Sequence, residues 1–202
     1  MLEDRFHAKF DGEYHPRYNA APSQNLPVIF NEDERFIHFA RWGLLPEWAR
    51  KLRRDGIINV RTETLIDKPT FKGDLSKRRC LVLSDGFYEW HRHGTYKTPY
   101  RFTIKSGEPF ALAGIWENNH TSAGEPVRTF AIITTKANGL VGRIHDRMPI
   151  ILPRYSEHGW LEEGNINLLH PYVAKEMKTY RVSRVLNSAR TDEPAMIEPS
   201  KD

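Results

Sequence analysis

Four short segments of the chain carry the side chains best suited to proton transfer on an anionic substrate. They occupy residues 17–22, 59–64, 85–90 and 145–149, and each sets polar groups beside turn residues or aromatic rings. Together they supply a carboxylate, an imidazole, an amide and two arginines, which are the parts needed for general acid–base chemistry. The sequence therefore predicts a polar site assembled from segments that lie far apart along the chain.

Glu89 is a candidate for the group that transfers the proton. It lies among aromatic residues in a segment with the alternation of a strand, which places it on the same face as Phe87 and opposite its two direct neighbours. Burial of a carboxyl group raises its pKa toward the range of a general acid. The alternative is a structural ion pair with Arg61 or Arg147.

The segment at residues 145–149 combines an imidazole with a guanidinium just before a proline. His145 can hold or release a proton near neutral pH, and the fork of Arg147 matches the geometry of a phosphate. The alternatives are a histidine that caps the preceding helix and an arginine that pairs with Asp146.

Asn59 and Arg61 follow a short apolar stretch and alternate around a valine, so they are expected on one face of a strand. The amide of Asn59 suits a sugar oxygen, and the guanidinium of Arg61 suits the adjoining phosphate. The alternative is a pair of ordinary strand-edge residues.

Two further segments offer groups for contact with a nucleic acid. Asn19 lies in a loop that ends at Pro22 and presents a hydrogen-bonding amide. Trp42 and Trp48 bracket a turn, where an exposed indole can stack on a base, although a tryptophan is more often buried in the core.

Positive charge is concentrated in one stretch of the sequence. Ten basic and four acidic residues lie between residues 50 and 79, in a chain whose formal net charge is +4. Such a concentration beside an aromatic framework is typical of nucleic-acid contact, and the alternative is an ordinary solvated surface.

The composition excludes several classes of protein. The chain has 202 residues, of which 39% are hydrophobic, and no apolar run reaches the ~20 residues of a membrane span. The single cysteine, Cys80, excludes an internal disulfide and lies in an apolar stretch that keeps a thiol inert. No zinc-ligand set and no phosphate-binding glycine loop is present, so we expect no metal or other cofactor. A cytoplasmic location is expected.

The pattern of residues predicts many short elements. Strands are expected at residues 36–42, 57–60, 79–83, 87–90, 100–104, 110–116 and 130–135, and short helices at 46–54, 69–75, 138–144 and 156–161. Because regular βαβ alternation is lacking, we expect a single α+β domain over residues 1–202. Its core is expected to be β-rich, barrel-like and mixed or antiparallel, with short peripheral helices. Residues 190–202 are expected to form an irregular tail.

Taken in order, these segments resemble the SOS-response-associated peptidase family, whose members process abasic sites in DNA. The resemblance extends over nearly the whole chain. The matching strings are Arg17-Tyr18-Asn19-Ala20-Ala21-Pro22, Trp42-Gly43, Asn59-Val60-Arg61-Thr62-Glu63-Thr64, Asp85-Gly86-Phe87-Tyr88-Glu89-Trp90, Lys97-Thr98-Pro99-Tyr100, His145-Asp146-Arg147-Met148-Pro149 and Val182-Ser183-Arg184-Val185-Leu186-Asn187.

The resemblance implies a covalent reaction with single-stranded DNA. Family members begin Met-Cys-Gly-Arg-Phe and remove their own initiator methionine, and the exposed cysteine closes a thiazolidine on an abasic sugar. By similarity, Asn59 positions the cysteine and the sugar, Glu89 acts as general acid and base, and His145 assists sugar-ring opening and reversal of the crosslink. The residues implied in DNA binding are Arg61, Arg147, Asn19, Pro22 and Trp42.

The chain departs from this pattern at its start, which reads Met1-Leu2-Glu3-Asp4. We expect that an N-terminal segment with the first strand and the nucleophilic cysteine is missing, that residues 2–10 continue the first helix, and that this chain alone does not crosslink. Its expected partner is single-stranded DNA with abasic sites, and no membrane contact is expected. The protein is expected to be a monomer and to be associated with the nucleoid when it is bound to DNA.

Three other functions remain open at this point. One is a non-catalytic single-stranded DNA-binding module. Another is a cysteine hydrolase that uses Cys80 with His145, and the last is a metal-dependent nuclease.

Overall fold

A computed structural model describes residues 1–46, 56–120 and 124–200, and β-strands dominate this part of the chain. The strands in these residues are β1 (Lys9–Phe10), β2 (Asn25–Phe30), β3 (Asp33–Trp42), β4 (Asn59–Arg61), β5 (Arg79–Ser84), β6 (Phe87–His93), β7 (Tyr96–Ile104), β8 (Phe110–His120), β9 (Pro126–Lys136), β10 (Arg147–Pro149), β11 (Ile151–Leu152) and β12 (Met177–Arg181).

Short helices surround the strands. The described α-helices are α1 (Leu2–Phe6), α2 (Thr62–Asp67), α3 (Pro69–Lys77) and α4 (Glu157–Glu163). The described 3₁₀ helices are Val141–Arg143, Arg154–Ser156, Ile166–Leu168, Ala174–Glu176, Arg184–Asn187 and Pro194–Ile197. None of the helices in the described residues has the length and apolarity to cross a membrane.

Five strands close into a mixed barrel. Antiparallel pairing runs from β3 through β2, β5 and β8 to β9, and β9 then pairs in parallel with β3. The closing contact is short, with Arg41 opposite Thr129 and Trp42 opposite Phe130. The predicted α+β fold with a barrel-like mixed core and short helices is confirmed.

Further strands extend the barrel wall near the predicted site residues. Strand β4 pairs in parallel with β9 and β10 pairs antiparallel with it. Asn59 on β4 lies opposite Ile132, and Arg147 on β10 lies opposite Lys136. Strand β9 therefore brings together two segments that are far apart in the sequence.

Strands β6, β7 and β12 form a separate antiparallel sheet in which β6 is an edge strand. Phe87 packs against the barrel and stacks on Phe102 at 5.1 Å between ring centroids. Tyr88 and Trp90 point the other way, into a small apolar cluster. The predicted alternation along this strand is confirmed, and Glu89 lies on the same face of β6 as the barrel-facing Phe87.

The apolar run of β5 reflects burial on both of its faces. Cys80 and Val82 enter one hydrophobic cluster, whereas Leu81 and Leu83 enter another that includes Trp160 from α4. Cys80 is fully buried, and this burial raises the pKa of its thiol. The prediction that Cys80 is an inert core residue is confirmed.

Two differences from the predicted elements have local causes. Strand β2 was not predicted. It contains Pro27, which a strand tolerates here because pairing with β5 begins only at Val28, so Pro27 has a single strand neighbour. The helix predicted at residues 138–144 is wrong in type and length. Asn138 Oδ1 accepts hydrogen bonds from the backbone N–H groups of Leu140 and Val141, and one 3₁₀ turn follows.

The chain ends also differ from expectation. The helix expected over residues 2–10 stops at Phe6, because His7 adopts a left-handed conformation with φ of 53° and β1 follows. The tail predicted to be irregular contains the 3₁₀ helix Pro194–Ile197, in which Met196 is buried. The helix predicted at residues 46–54 falls almost entirely outside the described residues, as does Trp48.

Arg79 has a structural role that the charge pattern did not indicate. It is only 4% exposed and donates hydrogen bonds to the carbonyl oxygens of Trp160, Leu161 and Glu162 at the end of α4, and to that of Leu75. Burial lowers its pKa. Arg79 thus satisfies the terminal carbonyls of α4, which have no partners within the helix. It belongs neither to a solvated surface nor to a nucleic-acid contact.

The substitution Arg79→Met is expected to lower the free energy of unfolding by about 3 kcal/mol, because several buried carbonyl groups lose their donors. Urea denaturation measures the change. Lys178→Met, at an exposed position of β12, is the control and should change stability by less than about 0.5 kcal/mol. A loss below about 1 kcal/mol for Arg79→Met contradicts the assigned role.

Candidate active site

A polar cleft of about 620 Å³ runs along the free edge of β6. One wall is the β6–β7 hairpin, and the other contains His145 and the 3₁₀ helix Arg184–Asn187. Because β6 is an edge strand, residues from both of its faces reach the cleft. Glu89 and His145 lie together in it, so two of the three predicted catalytic residues share one cavity.

Glu89 is held in a partly desolvated position on β6. Its side chain is 21% exposed, and burial raises its pKa from 4.5 to about 6. His145 opposes this rise and Asp146 adds to it. A carboxyl group with such a pKa exists in both protonation states near neutral pH, as a general acid and base requires.

His145 approaches Glu89 from the segment between the 3₁₀ helix Val141–Arg143 and β10. Its Nδ1 lies 3.9 Å from Glu89 Oε2 and 3.5 Å from Asp146 Oδ1. The same nitrogen is 3.1 Å from the backbone N of Arg147 and 3.2 Å from its carbonyl oxygen. Depending on the tautomer, this ring nitrogen accepts from the N–H or donates to the carbonyl oxygen of Arg147.

Arg147 does not pair with Glu89 or with Asp146, the two partners considered from the sequence. Its Nη1 and Nη2 donate to the two carboxylate oxygens of Glu63 at 2.9 and 3.0 Å, and Nη2 also donates to Thr134 O at 2.7 Å. These hydrogen bonds lower the pKa of Glu63 to about 2. The pair joins α2, which follows directly on β4, to β10 beside His145.

Asn59 and Arg61 are exposed on either side of the buried Val60, as the alternation predicted. Both lie on β4, and Arg61 precedes the helix that carries Glu63. Neither residue is among the described residues that line the cleft. The structure therefore brings Glu89 and His145 into one cavity and places Asn59 and Arg61 on the adjoining wall of the barrel.

Trp42 bonds to the loop that contains Pro22, where this loop crosses the end of β3. Trp42 is half-buried and donates from Nε1 to Ile58 O at 2.9 Å. Its backbone N–H donates to Gln24 O, and its carbonyl oxygen accepts from the backbone N–H of Ser23, in the loop that contains Pro22. Trp42 lines a second cavity of about 310 Å³, and Trp90 lines both cavities.

Asn19 is buried, and its side-chain amide forms hydrogen bonds with backbone carbonyl groups. Its Nδ2 donates to Ser188 O and Thr191 O, each at 3.0 Å, and its backbone N–H donates to Asp192. The predicted hydrogen-bonding amide is thus used inside the protein. It ties the loop at residues 17–22 to the segment that follows the 3₁₀ helix Arg184–Asn187.

Several cleft residues were given no functional role from the sequence, although three of them lie within the strings that resemble the family. Arg92 and Lys97 come from the β6–β7 hairpin, and Arg184 and Asn187 come from the 3₁₀ helix opposite. Asn187 Oδ1 accepts a hydrogen bond from Trp90 Nε1 at 2.7 Å, which joins the two walls. The hairpin register could have indicated Arg92 and Lys97, whereas no local pattern indicates that residues 184–187 return to this strand.

One described group of side chains has a spacing compatible with metal ligation, although no metal site was expected. Ligand atoms of Glu34, His158 and Glu162 lie within 4.8 Å of one another. His158 Nδ1 and Glu34 Oε2 are 3.1 Å apart, and this hydrogen bond raises the pKa of His158. The three residues do not line the cleft, and an ion pair accounts for the approach of the first two.

Comparisons with known proteins agree with this architecture. The family model described as SOS response associated peptidase (SRAP) matches residues 1–189. The chain is 44% identical over 197 residues to the abasic site processing protein YoqW of Bacillus subtilis (strain 168), covering 93% of this chain and 88% of that protein. It is 32% identical over 231 residues to the abasic site processing protein HMCES of Gallus gallus, covering 94% and 68%.

Solved structures show the same fold. A crystal structure of a Bacteroides thetaiotaomicron protein matches with a TM-score of 0.76 at 30% identity, covering 88% of this chain and 82% of that one. One from Bordetella bronchiseptica matches with a TM-score of 0.77 at 26% identity, covering 90% and 94%. The family-model match, the identity to these relatives and the shared fold lead to one conclusion: this chain belongs to the SOS response associated peptidase family.

Proposed function

We propose that the protein processes abasic sites in single-stranded DNA and, in a chain with an N-terminal cysteine, crosslinks to them covalently. The observation that carries this proposal is the pairing of Glu89, whose pKa is about 6, with His145 at 3.9 Å in a polar cleft. The names of related proteins, which refer to abasic site processing, support the choice of substrate. We propose that it acts as a monomer on cytoplasmic, nucleoid-associated DNA.

The chemistry begins with the open-chain aldehyde of the abasic sugar. A neutral α-amine, whose ordinary pKa of ~7.7–8.0 leaves part of it unprotonated at neutral pH, attacks the aldehyde carbon and forms a carbinolamine. Glu89 then donates its proton to the departing hydroxyl, so that water leaves and an imine forms. Addition of the cysteine thiol to the imine carbon closes the thiazolidine ring, with one water lost overall.

Glu89 and His145 share the proton transfers in this scheme. The raised pKa of Glu89 lets it give a proton to the leaving oxygen and take one from the thiol. His145 is positioned beside Glu89 by its contacts with the Arg147 backbone, so it is suited to assist opening of the sugar ring and reversal of the crosslink. Hydrolysis of the peptide bond after an initiator methionine draws on the same two groups.

The reacting cysteine is not Cys80. A mid-chain residue has no α-amine, and the Cys80 thiol is fully buried with its pKa raised. We therefore assign the nucleophile to a cysteine at the N-terminus of a chain that carries Met-Cys-Gly-Arg-Phe ahead of this sequence. A cysteine hydrolase based on Cys80 and His145 lacks an accessible nucleophile.

The DNA contacts are assigned to the barrel wall that adjoins the cleft. Asn59 would orient the sugar and the reacting cysteine, and the exposed Arg61 would take an adjoining phosphate. The Nη1 and Nη2 atoms of Arg147 already hold the Glu63 carboxylate, so a phosphate bound in that fork would displace Glu63. Trp42 and Pro22 shape the strand path from the loop before β2, which Asn19 helps to fix.

Intact-mass analysis after incubation with a single-stranded abasic oligonucleotide tests this function. We call a chain that carries Met-Cys-Gly-Arg-Phe ahead of this sequence the extended chain. The extended chain should gain the mass of the DNA, whereas residues 1–202 alone should not. Glu89→Gln in the extended chain should slow crosslinking by about 10²–10⁴-fold, the range of a lost general acid. The same spectrum reports whether the initiator methionine has been removed.

Two controls sharpen that experiment. An undamaged oligonucleotide of the same length should give no adduct, and Cys80→Ser should leave the rate of adduct formation unchanged. An extended, folded chain that stays unmodified contradicts the proposal. It would favour the second candidate function, a non-catalytic single-stranded DNA-binding module, for which Glu89→Gln has little effect.

The partly buried Glu89 carboxyl group should also lower the stability of the fold at neutral pH, where it is mostly ionised. Because the pKa of Glu89 rises from 4.5 to about 6, the folded state binds more protons than the unfolded state between these values, and stability falls as the pH rises through that window. Glu89→Gln should therefore raise the free energy of unfolding at pH 7.5 by up to about 2 kcal/mol.

Urea denaturation from pH 4 to pH 8 measures this effect. The gain from Glu89→Gln should shrink as the pH falls and be absent at pH 4. Glu108→Gln, at an exposed position before β8, is the control and should show no such trend. A variant that is equally or less stable than the unaltered chain at pH 7.5 contradicts the desolvated state of Glu89.

A further inference from the structure

We propose that the β6–β7 hairpin and the 3₁₀ helix Arg184–Asn187 bind the phosphates of the DNA strand that flanks the lesion. This deepens the proposed function, on which it rests, by assigning a second binding surface beyond Asn59 and Arg61. The surface consists of Arg92, Lys97, Arg184 and Tyr96, all of which line the same cleft as Glu89.

The first argument is an unfavourable pairing of charges. Arg92 lies directly opposite Lys97 in the register of the β6–β7 hairpin. Side chains at opposite positions of an antiparallel pair are neighbours, and like charges there destabilise the hairpin. No described carboxylate lies within 4.0 Å of either charged group. A bound phosphate would neutralise both cations, so their pairing suits an anionic ligand.

The opposite wall adds a third cation, which faces an aromatic ring of the hairpin. The Arg184 guanidinium lies 5.8 Å from the centroid of the Tyr96 ring, which is 66% exposed. An exposed aromatic ring beside an arginine is the combination on which unpaired bases stack in single-strand-binding proteins. Duplex DNA offers no such free base face in a narrow cleft, so the geometry favours a single strand.

The cleft is also continuous with the proposed reaction centre. The hydrogen bond from Trp90 Nε1 to Asn187 Oδ1 joins the two walls, and Glu89 directly precedes Trp90 on β6, within the hairpin wall. A strand whose abasic sugar lies at Glu89 would place its next phosphates near Arg92 and Lys97. The binding surface and the reacting groups are therefore parts of one path along β6.

The salt dependence of binding tests the three cations. Affinity for an undamaged single-stranded oligonucleotide is measured by fluorescence anisotropy between 50 and 200 mM salt. The triple variant Arg92→Gln, Lys97→Gln, Arg184→Gln should reduce the slope of log K against log salt by about 2. Over this range the variant should lose about 20-fold less affinity than the unaltered chain.

A matched triple variant controls for net charge. Lys105→Gln, Lys175→Gln and Lys178→Gln remove the same charge at exposed positions near the end of the sheet away from the hairpin tip. This variant should keep the slope of the unaltered chain. Equal slopes for the two triple variants overturn the proposal, because binding would then depend on total charge alone.

The stacking surface has its own test. Tyr96→Ala should weaken single-strand affinity about tenfold, and Tyr96→Phe should retain it, since stacking needs only the ring. Tyr155→Ala, at another exposed tyrosine, is the control. A loss with Tyr96→Phe equal to that with Tyr96→Ala counts against a stacked base.

These outcomes are separable from the proposed chemistry. If the extended chain fails to crosslink, while the Arg92, Lys97 and Arg184 triple variant shows a reduced salt slope and the lysine control does not, the proposed abasic-site reaction is wrong and the strand-binding surface stands. If crosslinking proceeds while both triple variants behave alike, the reaction stands and the surface assigned here is wrong.

Discussion

Withdrawal of the Glu89 carboxyl group from water is the constraint around which the cleft is organised. The barrel-facing side of β6 buries this group enough to raise its pKa to about 6, while His145, 3.9 Å away, opposes the rise. A fully exposed carboxyl group is almost entirely ionised at neutral pH, whereas a deeply buried and unpaired one stays protonated, so neither suits both giving and taking a proton. The half-buried edge of a small sheet against a barrel supplies an intermediate environment.

The barrel contributes by bringing distant segments to one strand. Strand β9 carries β4 along part of its length and β10 further on, so Asn59 and Arg147 reach the same part of the wall. The Arg147–Glu63 pair then braces the start of α2 against β10, directly beside His145. The two walls of the cleft are joined independently through Trp90 and Asn187. The positions of the side chains at the site thus depend on strand pairing, on the Arg147–Glu63 ion pair and on the Trp90–Asn187 hydrogen bond.

The sequence was most informative where local alternation decides the outcome. The alternation of residues 87–90 correctly indicated the face of Glu89, and the apolar run around Cys80 correctly indicated a buried thiol. Long-range partners could not be inferred in this way. Glu63 meets Arg147 only because α2 and β10 converge, and Arg79 meets the end of α4 only in the folded chain. Composition could not separate that internal arginine from the surface cations of the same stretch.

NMR titration of the Glu89 side-chain carboxyl carbon measures whether this group has a raised pKa that His145 modulates. We expect a midpoint near pH 6 that moves higher in His145→Gln, because the electrostatic effect by which His145 favours the carboxylate is lost. A midpoint near the ordinary 4.5, unchanged by that substitution, would contradict this expectation.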